Sequence, residues 1–402
     1  MSTWLVPHTE LTNEQIRAIE MEPTANRVIM GGPGSGKTQV LLHRARFLRD
    51  NYSVPPDRFR IFVFTNVLSA YIRSALELLD IPETCVGTFD EWCKEFYQAN
   101  ISKKLPWDKA ARRPDFGAMR AGVLKHLKGT KANPAILDFV LVDEGQDLEA
   151  DCFEILKRVA THLTVCMDHN QQIYDGGSSN SEILGALGLK RRNITLLETF
   201  RCCPYIVQVA AQFIDDETAR AAYVQQTKTS QTDIETPLLY KAVDFEDEKG
   251  KLLEIVKLRV NKGERIAVLL PKQKQVYGFG HGLREAGVDT EIQGDGLDFG
   301  TDRPKVMTYH SAKGLTFDTV LLPRLTGTSF FNMSDARIER LLFVGVTRAV
   351  RWVYLSTTQG KPFAPLMRLE PLVGAKKLTV LTGSGDDGDG QVEIQDDGLN
   401  FL

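Results

Sequence analysis

The sequence has little of what marks an extracellular, membrane or metal-scaffolded protein. Its 402 residues contain six cysteines, none of them in a C-x-x-C pair. That spacing gives no disulfide framework, and it offers nothing for a shared zinc or redox centre. The adjacent Cys202 and Cys203, in ETFRCCPY, read as packing residues at the start of a helix, with Pro204 in an early helical position that its fixed φ suits. No apolar run approaches the length of a membrane span, and no basic leader precedes an apolar stretch, so the expected location is the cytoplasm. Charge of either sign is not in excess, at a formal net of -3. The bias that exists is local: Asp386, Asp387, Asp389, Glu393, Asp396 and Asp397 share a final segment with no Lys or Arg, and the body without these six acids carries +3. A balance that mild does not by itself announce a nucleic-acid partner.

What is present is a repeated alternation of strand and helix. Apolar, β-branched runs at 27–30, 59–65, 137–144 and 163–168 read as buried parallel strands, with helical patterns such as KTQVLLHRARFLRD and NVLSAYIRSALELLD between them. A second series follows at 265–271, 305–310, 319–323 and 352–357, with the helical DARIERLLFVGVTRA before its last strand. The length suits two domains. The expected division is a first lobe over 1–198, interrupted by a small basic insertion at 97–136, a second lobe over 199–380, and an acidic Gly/Asp-rich tail over 381–402 expected to be disordered. The tail's apolar end, Gly398 to Leu402, is a candidate docking peptide for a protein partner, against the plainer reading of a solvated tail.

The most specific local signal is GGPGSGKT, which comprises Gly31, Gly32, Pro33, Gly34, Ser35, Gly36, Lys37 and Thr38 and stands between a strand and a helix. Glycines let such a loop turn its N–H groups inward, the helix N-terminus adds positive potential, Lys37 reaches the outer phosphates, and Thr38 offers a hydroxyl to Mg²⁺. Downstream, LDFVLV runs into Asp143 and Glu144. In such a fold Asp143 would hold Mg²⁺ through water and Glu144 would act as general base, so ATP hydrolysis is the expected chemistry.

Seven further stretches surround these two: LTNEQIRAIE, FTNVLSAYIRSAL, GTFDEWCKEF, MDHNQQIYDG, ETFRCCPYIV, VMTYHSAKGLTFDTV and RLLFVGVTRA. The whole series, in this order, resembles the UvrD/PcrA/Rep group of superfamily 1 DNA helicases over nearly the full chain. The resemblance implies an α/β fold of two RecA-like P-loop lobes, parallel sheets flanked by helices, with the ATP cleft between them. It implies that Gln15 reads adenine, Gln171 senses the γ-phosphate, Phe200 stacks on the base, and Arg201 and Arg348 reach the γ-phosphate from the second lobe. Gly314 joins the ATP-binding set. Phe64, Asn66, Thr88, Phe89, Tyr174, Thr308 and His310 would line a groove for single-stranded DNA, where stacking under successive bases tolerates any sequence. Phe64 ends an apolar strand, so a core role is equally open to it.

The chain also departs from the family pattern. Met167 precedes Asp168 where a glycine is usual, and Gln39 stands in place of an arginine after GKT. Thr316 replaces the glutamate of KGLEF, and Asp90 the histidine of TFHSF. No segment is long enough for the second large accessory subdomain. The expectation is therefore an ATP-driven single-stranded DNA translocase with 3′ to 5′ polarity, in which duplex unwinding is less secure. The alternative is a nucleic-acid-sensing regulatory ATPase that controls a partner such as a nuclease.

Overall fold

The structure, a computed structural model, describes residues 4–110, 112–129, 136–168, 180–189, 194–197, 203–226, 235–361 and 363–383. Residues 27–197 build a six-stranded sheet from β1 (Arg27–Gly31), β2 (Phe59–Val63), β3 (Val86–Thr88), β6 (Leu137–Val142), β7 (Ala160–Met167) and β8 (Ile194–Leu197). Between β3 and β6 lies an antiparallel pair of two-residue strands, β4 (Trp107–Asp108) and β5 (Arg113–Pro114). The sheet order is β3-β2-β6-β7-β1-β8, every neighbour parallel, with Ile29 opposite Cys166 and Phe62 opposite Val142. Strands covered on both faces need apolar side chains pointing both ways, which is why these stretches read as near-continuous hydrophobic runs.

The helices cover those faces, and polar side chains fix where several of them start. In α1 (Asn13–Glu20), Thr12 and Gln15 form a reciprocal capping box. Thr65 caps α3 (Asn66–Leu76) and Thr88 caps α4 (Phe89–Asn100), each by accepting a backbone N–H in the first turn. Helix α2 (Lys37–Tyr52) follows the glycine-rich loop directly. The insertion contains α5 (Phe116–Gly129), which buries Met119, Val123 and Leu127 in the same core cluster as Cys152 and Phe153 of α6 (Ala150–Val159). After β7 comes α7 (Asn180–Leu187).

The second sheet has seven strands: β9 (Leu238–Ala242), β10 (Ile266–Leu270), β11 (Glu291–Ile292), β12 (Lys305–Thr308), β13 (Phe317–Leu322), β14 (Ala349–Thr358) and β15 (Thr379–Thr382), ordered β11-β12-β10-β13-β14-β9-β15 and all parallel. Its longer helices are α8 (Pro204–Ala211), α9 (Glu217–Gln226), α10 (Phe245–Asn261), α11 (Gln273–Glu285) and α12 (Asp335–Val346). Helix α8 packs on α12 and β14, and the N–H of Cys203 just before it donates to Val350 O at 2.9 Å. The two units are RecA-like lobes of parallel sheet flanked by helices.

Three local details differ from the sequence reading. The helix expected through Ala349 stops at Val346, which leaves Arg348 in the turn before β14. Strand β15 runs to Thr382, so the first two residues of the expected tail belong to it, because it pairs with β9 along the sheet edge. Strands β3, β4, β5, β8, β9, β11 and β15 have no counterpart in the sequence reading. Among the described residues, no helix is long and apolar enough to cross a membrane.

Candidate functional site between the lobes

The sheet order decides which side chains meet. Strands β1, β7 and β6 are adjacent, so their carboxyl ends place the glycine-rich loop, Asp168 and Asp143 side by side, where open parallel sheets keep their ligand crevices. Lys37 Nζ donates to Gly31 O at 2.7 Å and Gly32 O at 3.1 Å and lies 3.6 Å from Asp168 Oδ2. Thr38 Oγ1 donates to Asp143 Oδ2 at 2.6 Å. That hydroxyl and carboxylate are hard oxygen donors, the set Mg²⁺ takes when substrate phosphates supply other ligands, so these residues fit the ion.

Gly36 is fixed by geometry. Its φ is +81°, and a Cβ there would sit 2.5 Å from Gln15 Nε2. The Gln15 amide is engaged at both ends: its Oε1 accepts from Thr12 N, and its Nε2 donates to Ser35 O at 3.0 Å. Gln15 therefore ties α1 to the phosphate loop. Behind it the guanidinium of Arg44, fully buried, donates to Ile19 O, Met21 O and Thr164 Oγ1, which locks the end of α1 against α2 and β7.

Glu144 adopts a left-handed backbone with φ 53°, a costly conformation for a non-glycine residue that is found where surrounding contacts enforce it. Its N–H donates to Asp143 Oδ1 at 3.0 Å, and its Oε2 accepts from Gln146 Nε2 at 2.5 Å. The other amide atom of Gln146, Oε1, accepts the N–H of Asp168 at 2.9 Å, so one glutamine links both acidic strand ends. Burial pushes the Glu144 carboxyl up, but Lys313, Lys37, Arg348 and the Gln146 amide outweigh it and hold the group below its ordinary range. Burial and the adjacent Glu144 charge push Asp143 the other way, upward. Neighbouring carboxyls with opposite shifts suit different tasks, and Glu144 is the one held ionised.

The second lobe closes this arrangement. Lys313 Nζ donates to Asp147 Oδ2 at 2.6 Å and lies 3.5 Å from Glu144 Oε2. Arg348, 5 % exposed, is held by Val344 O, Leu315 O and Thr347 Oγ1 and lines the cleft with Lys37, Thr38, Glu144 and Gly314. The cavity there is about 50 Å³, against the roughly 300 Å³ or more of a pocket that takes a sizeable ligand.

The positions expected along the nucleic-acid groove fall at the carboxyl ends of strands in both lobes. Phe64 follows β2 and is half-buried against the core around Phe62, while Asn66, at the start of α3, is exposed and borders an inter-lobe groove with Arg73 and Phe299. Thr88 spends its hydroxyl accepting Glu91 N at 3.2 Å. Thr308 Oγ1 donates to Ser311 Oγ at 3.0 Å. Burial, then the charges of Arg337 and Lys313, lower the His310 pKa to about 4, so its ring is neutral at pH 7. Phe89 is placed differently from its expected role: at 2 % exposure it meets Phe62 edge-on at 5.6 Å and stacks on Trp92, so its ring belongs to the core and cannot lie under a base without leaving it. Gln171, Tyr174, Phe200, Arg201 and residues 384–402 of the acidic tail lie outside the described residues.

Sequence reasoning missed Lys313, Asp147 and Trp4 at this cleft. The first two were visible inside VMTYHSAKG and VDEGQD, but nothing in one strand of sequence says they face each other. Gln39 and Asp90 have structural partners here: Gln39 holds the Trp4–Val6 segment, and Asp90 lies 3.5 Å from Arg120 of the insertion. Cys85, Cys93, Cys152, Cys166 and Cys203 are buried and unbridged, and Cys202 lies outside the described residues. Among the described residues, no group of three or more His, Cys, Asp or Glu could hold a metal.

Comparison with known proteins gives two matches to family models: an AAA domain over residues 15–177 and a UvrD-like helicase C-terminal domain over residues 305–356. A protein of Mycoplasma pneumoniae named a probable DNA helicase is 26% identical over 88% of this chain and 84% of its own length. A Bacillus subtilis protein provisionally named an ATP-dependent DNA helicase is 20% identical over 66% of this chain, and one of Acanthamoeba polyphaga mimivirus with the same kind of name is 22% identical over 87%. This chain spans only 46% and 53% of those two. The two domain matches, in this order along the chain, and these relatives agree with the site just described: the chain is similar to the UvrD-like helicases in both of its lobes.

Proposed function

We propose that this protein hydrolyses ATP and uses the cycle to move along single-stranded DNA, 3′ to 5′. The observation that carries the reading is the meeting of Thr38 with Asp143 beside the ionised Glu144, in a cleft whose far wall carries Arg348 and Lys313. In this reading Lys37 and the loop N–H groups hold the phosphates, and Glu144 accepts a proton from the attacking water. Arg348, with Arg201, meets the charge developing on the γ-phosphate. When bound, Mg²⁺ at Thr38 and Asp143 neutralises phosphate charge.

Each hydrolysis removes the group that both lobes grip, so the cleft opens and closes once per ATP. The exposed Asn66, together with His310 and Tyr174, is assigned to the strand. The names of the relatives support DNA as the polymer. A second reading, an ATPase that senses nucleic acid and controls a protein partner without unwinding, is favoured by one observation: between α9 and β12, the described residues are spent on β9, α10, β10, α11 and β11 of the lobe itself.

The deciding experiment is phosphate release with and without single-stranded DNA, followed by strand separation on a 3′-tailed duplex. Stimulation together with unwinding supports the helicase, and stimulation without unwinding supports the second reading. Hydrolysis that ignores DNA refutes both.

A further inference from the structure

The segment Trp4–Val6 is fastened to the helix that begins the phosphate loop. Val6 N donates to Gln39 Oε1 at 2.9 Å, Gln39 Nε2 donates to Trp4 O at 2.8 Å, and His43 Nε2 lies 2.9 Å from Val6 O. Gln39 and His43 are 2 % and 6 % exposed, so without the segment their buried polar atoms would lose these partners. The attachment directs the Trp4 ring into the inter-lobe cleft, where it borders Pro33, Gly34, Gly36 and Thr316. One face of the indole stacks on Tyr71, with centroids 4.1 Å apart and planes 20° from parallel, and Nε1 donates to Ser74 Oγ at 3.2 Å. Among the described residues, no other ring covers the second face.

We propose that Trp4 is a nucleotide-binding residue, an aromatic wall against which one face of the base of the bound nucleotide stacks. The inference rests on the nucleotide-binding reading above and adds to it how the base is held. The ring shares one wall with the phosphate loop, is held from α2 and α3, and is backed by a second ring. A rigid π-surface of that kind binds any base by its face. Gln15 does not fill the role as it stands, since both ends of its amide are bound within the protein. Recognition through a face also implies a preference for purines, whose larger ring overlaps more, over pyrimidines.

The test is calorimetric titration of the full chain with MgADP and, separately, with magnesium pyrophosphate, in wild type, Trp4→Phe, Trp4→Ala and Gln39→Leu. A stacked base contributes about 1–3 kcal/mol, so Trp4→Ala is expected to weaken MgADP about 5- to 150-fold. Pyrophosphate should bind it as it binds wild type. Trp4→Phe keeps a ring and most of the affinity, and Gln39→Leu, which loosens the segment, falls between. The proposal is overturned by unchanged or tighter MgADP binding in Trp4→Ala, or by equal losses for MgADP and pyrophosphate, which would make the ring a packing element only. Wild type that binds neither ligand sinks the nucleotide reading itself, a result distinct from any difference among variants.

Discussion

Lys313 of the second lobe donates to Asp147 of the first at 2.6 Å, and the two side chains are 1 % and 0 % exposed. The pair links the two lobes, with Glu144 3.5 Å from Lys313. Removing one partner of a buried pair strands the other charge and costs about 3–5 kcal/mol, whereas an exposed pair is worth under about 1 kcal/mol. Lys313→Met is therefore expected to lower unfolding stability by an amount in the first range. Adding Asp147→Leu should recover part of it, since one of the stranded carboxylates is then gone. Urea melts of the single and double variants measure this, and a single-variant loss below about 1 kcal/mol would mean the bridge does not hold the lobes.

Glu144→Gln separates binding from chemistry. The carboxyl is held below its ordinary range, so at neutral pH it is ready to accept a proton, and the amide cannot. The expected loss in the rate of phosphate release is about 10²- to 10⁴-fold, the usual worth of a positioned general base. MgADP affinity should stay close to wild type, because Lys37 and the loop that hold the phosphates are untouched. Normal turnover in this variant would remove Glu144 from the mechanism.

The lobes and the phosphate site were legible in the sequence because each is a local pattern. Buried parallel strands are continuous apolar runs, and a loop that wraps phosphate needs glycines at fixed places. Contacts between distant segments were not legible. The resemblance puts Phe89 in the strand-binding groove, but its T-shaped contact with Phe62 and its stack on Trp92 depend on how α4 settles on the sheet. Trp4 gave no signal at all, since its role depends on Gln39, 35 positions away. The short edge strands β11 and β15 are two and four residues long, too brief for a period to emerge.

Acid should weaken the first lobe through His162. This ring is 2 % exposed, and burial, then the charges of Arg44 and Arg27, lower its pKa to about 3 from an ordinary 6.5. The folded protein thus keeps it neutral at pH values where the unfolded chain takes up a proton. The stability it contributes is complete above pH 6.5 and is lost as pH falls toward 3, at up to about 1.4 kcal/mol per pH unit. His162→Gln, which does not titrate, should show a shallower loss over that window in urea melts at a series of pH values. An unchanged slope would assign the acid sensitivity to other groups.

Gly314 tests whether the spacing of the lobes is set by contact rather than by the ion pair alone. Its φ is +81°, and an added Cβ would lie 2.9 Å and 3.0 Å from the two methyl carbons of Leu68 in the first lobe. Gly314→Ala therefore meets two costs, a left-handed backbone at about 1–2 kcal/mol and an overpacked contact at about 1–3 kcal/mol. Leu68→Ala alone opens a cavity and should cost about 2–5 kcal/mol. In the double variant the shortened side chain makes room for the new methyl, so the two losses should fall short of their sum by about 1 kcal/mol or more, while the backbone cost remains. Additive losses in a double-mutant cycle would show that Leu68 yields freely and that the glycine is needed for its φ alone.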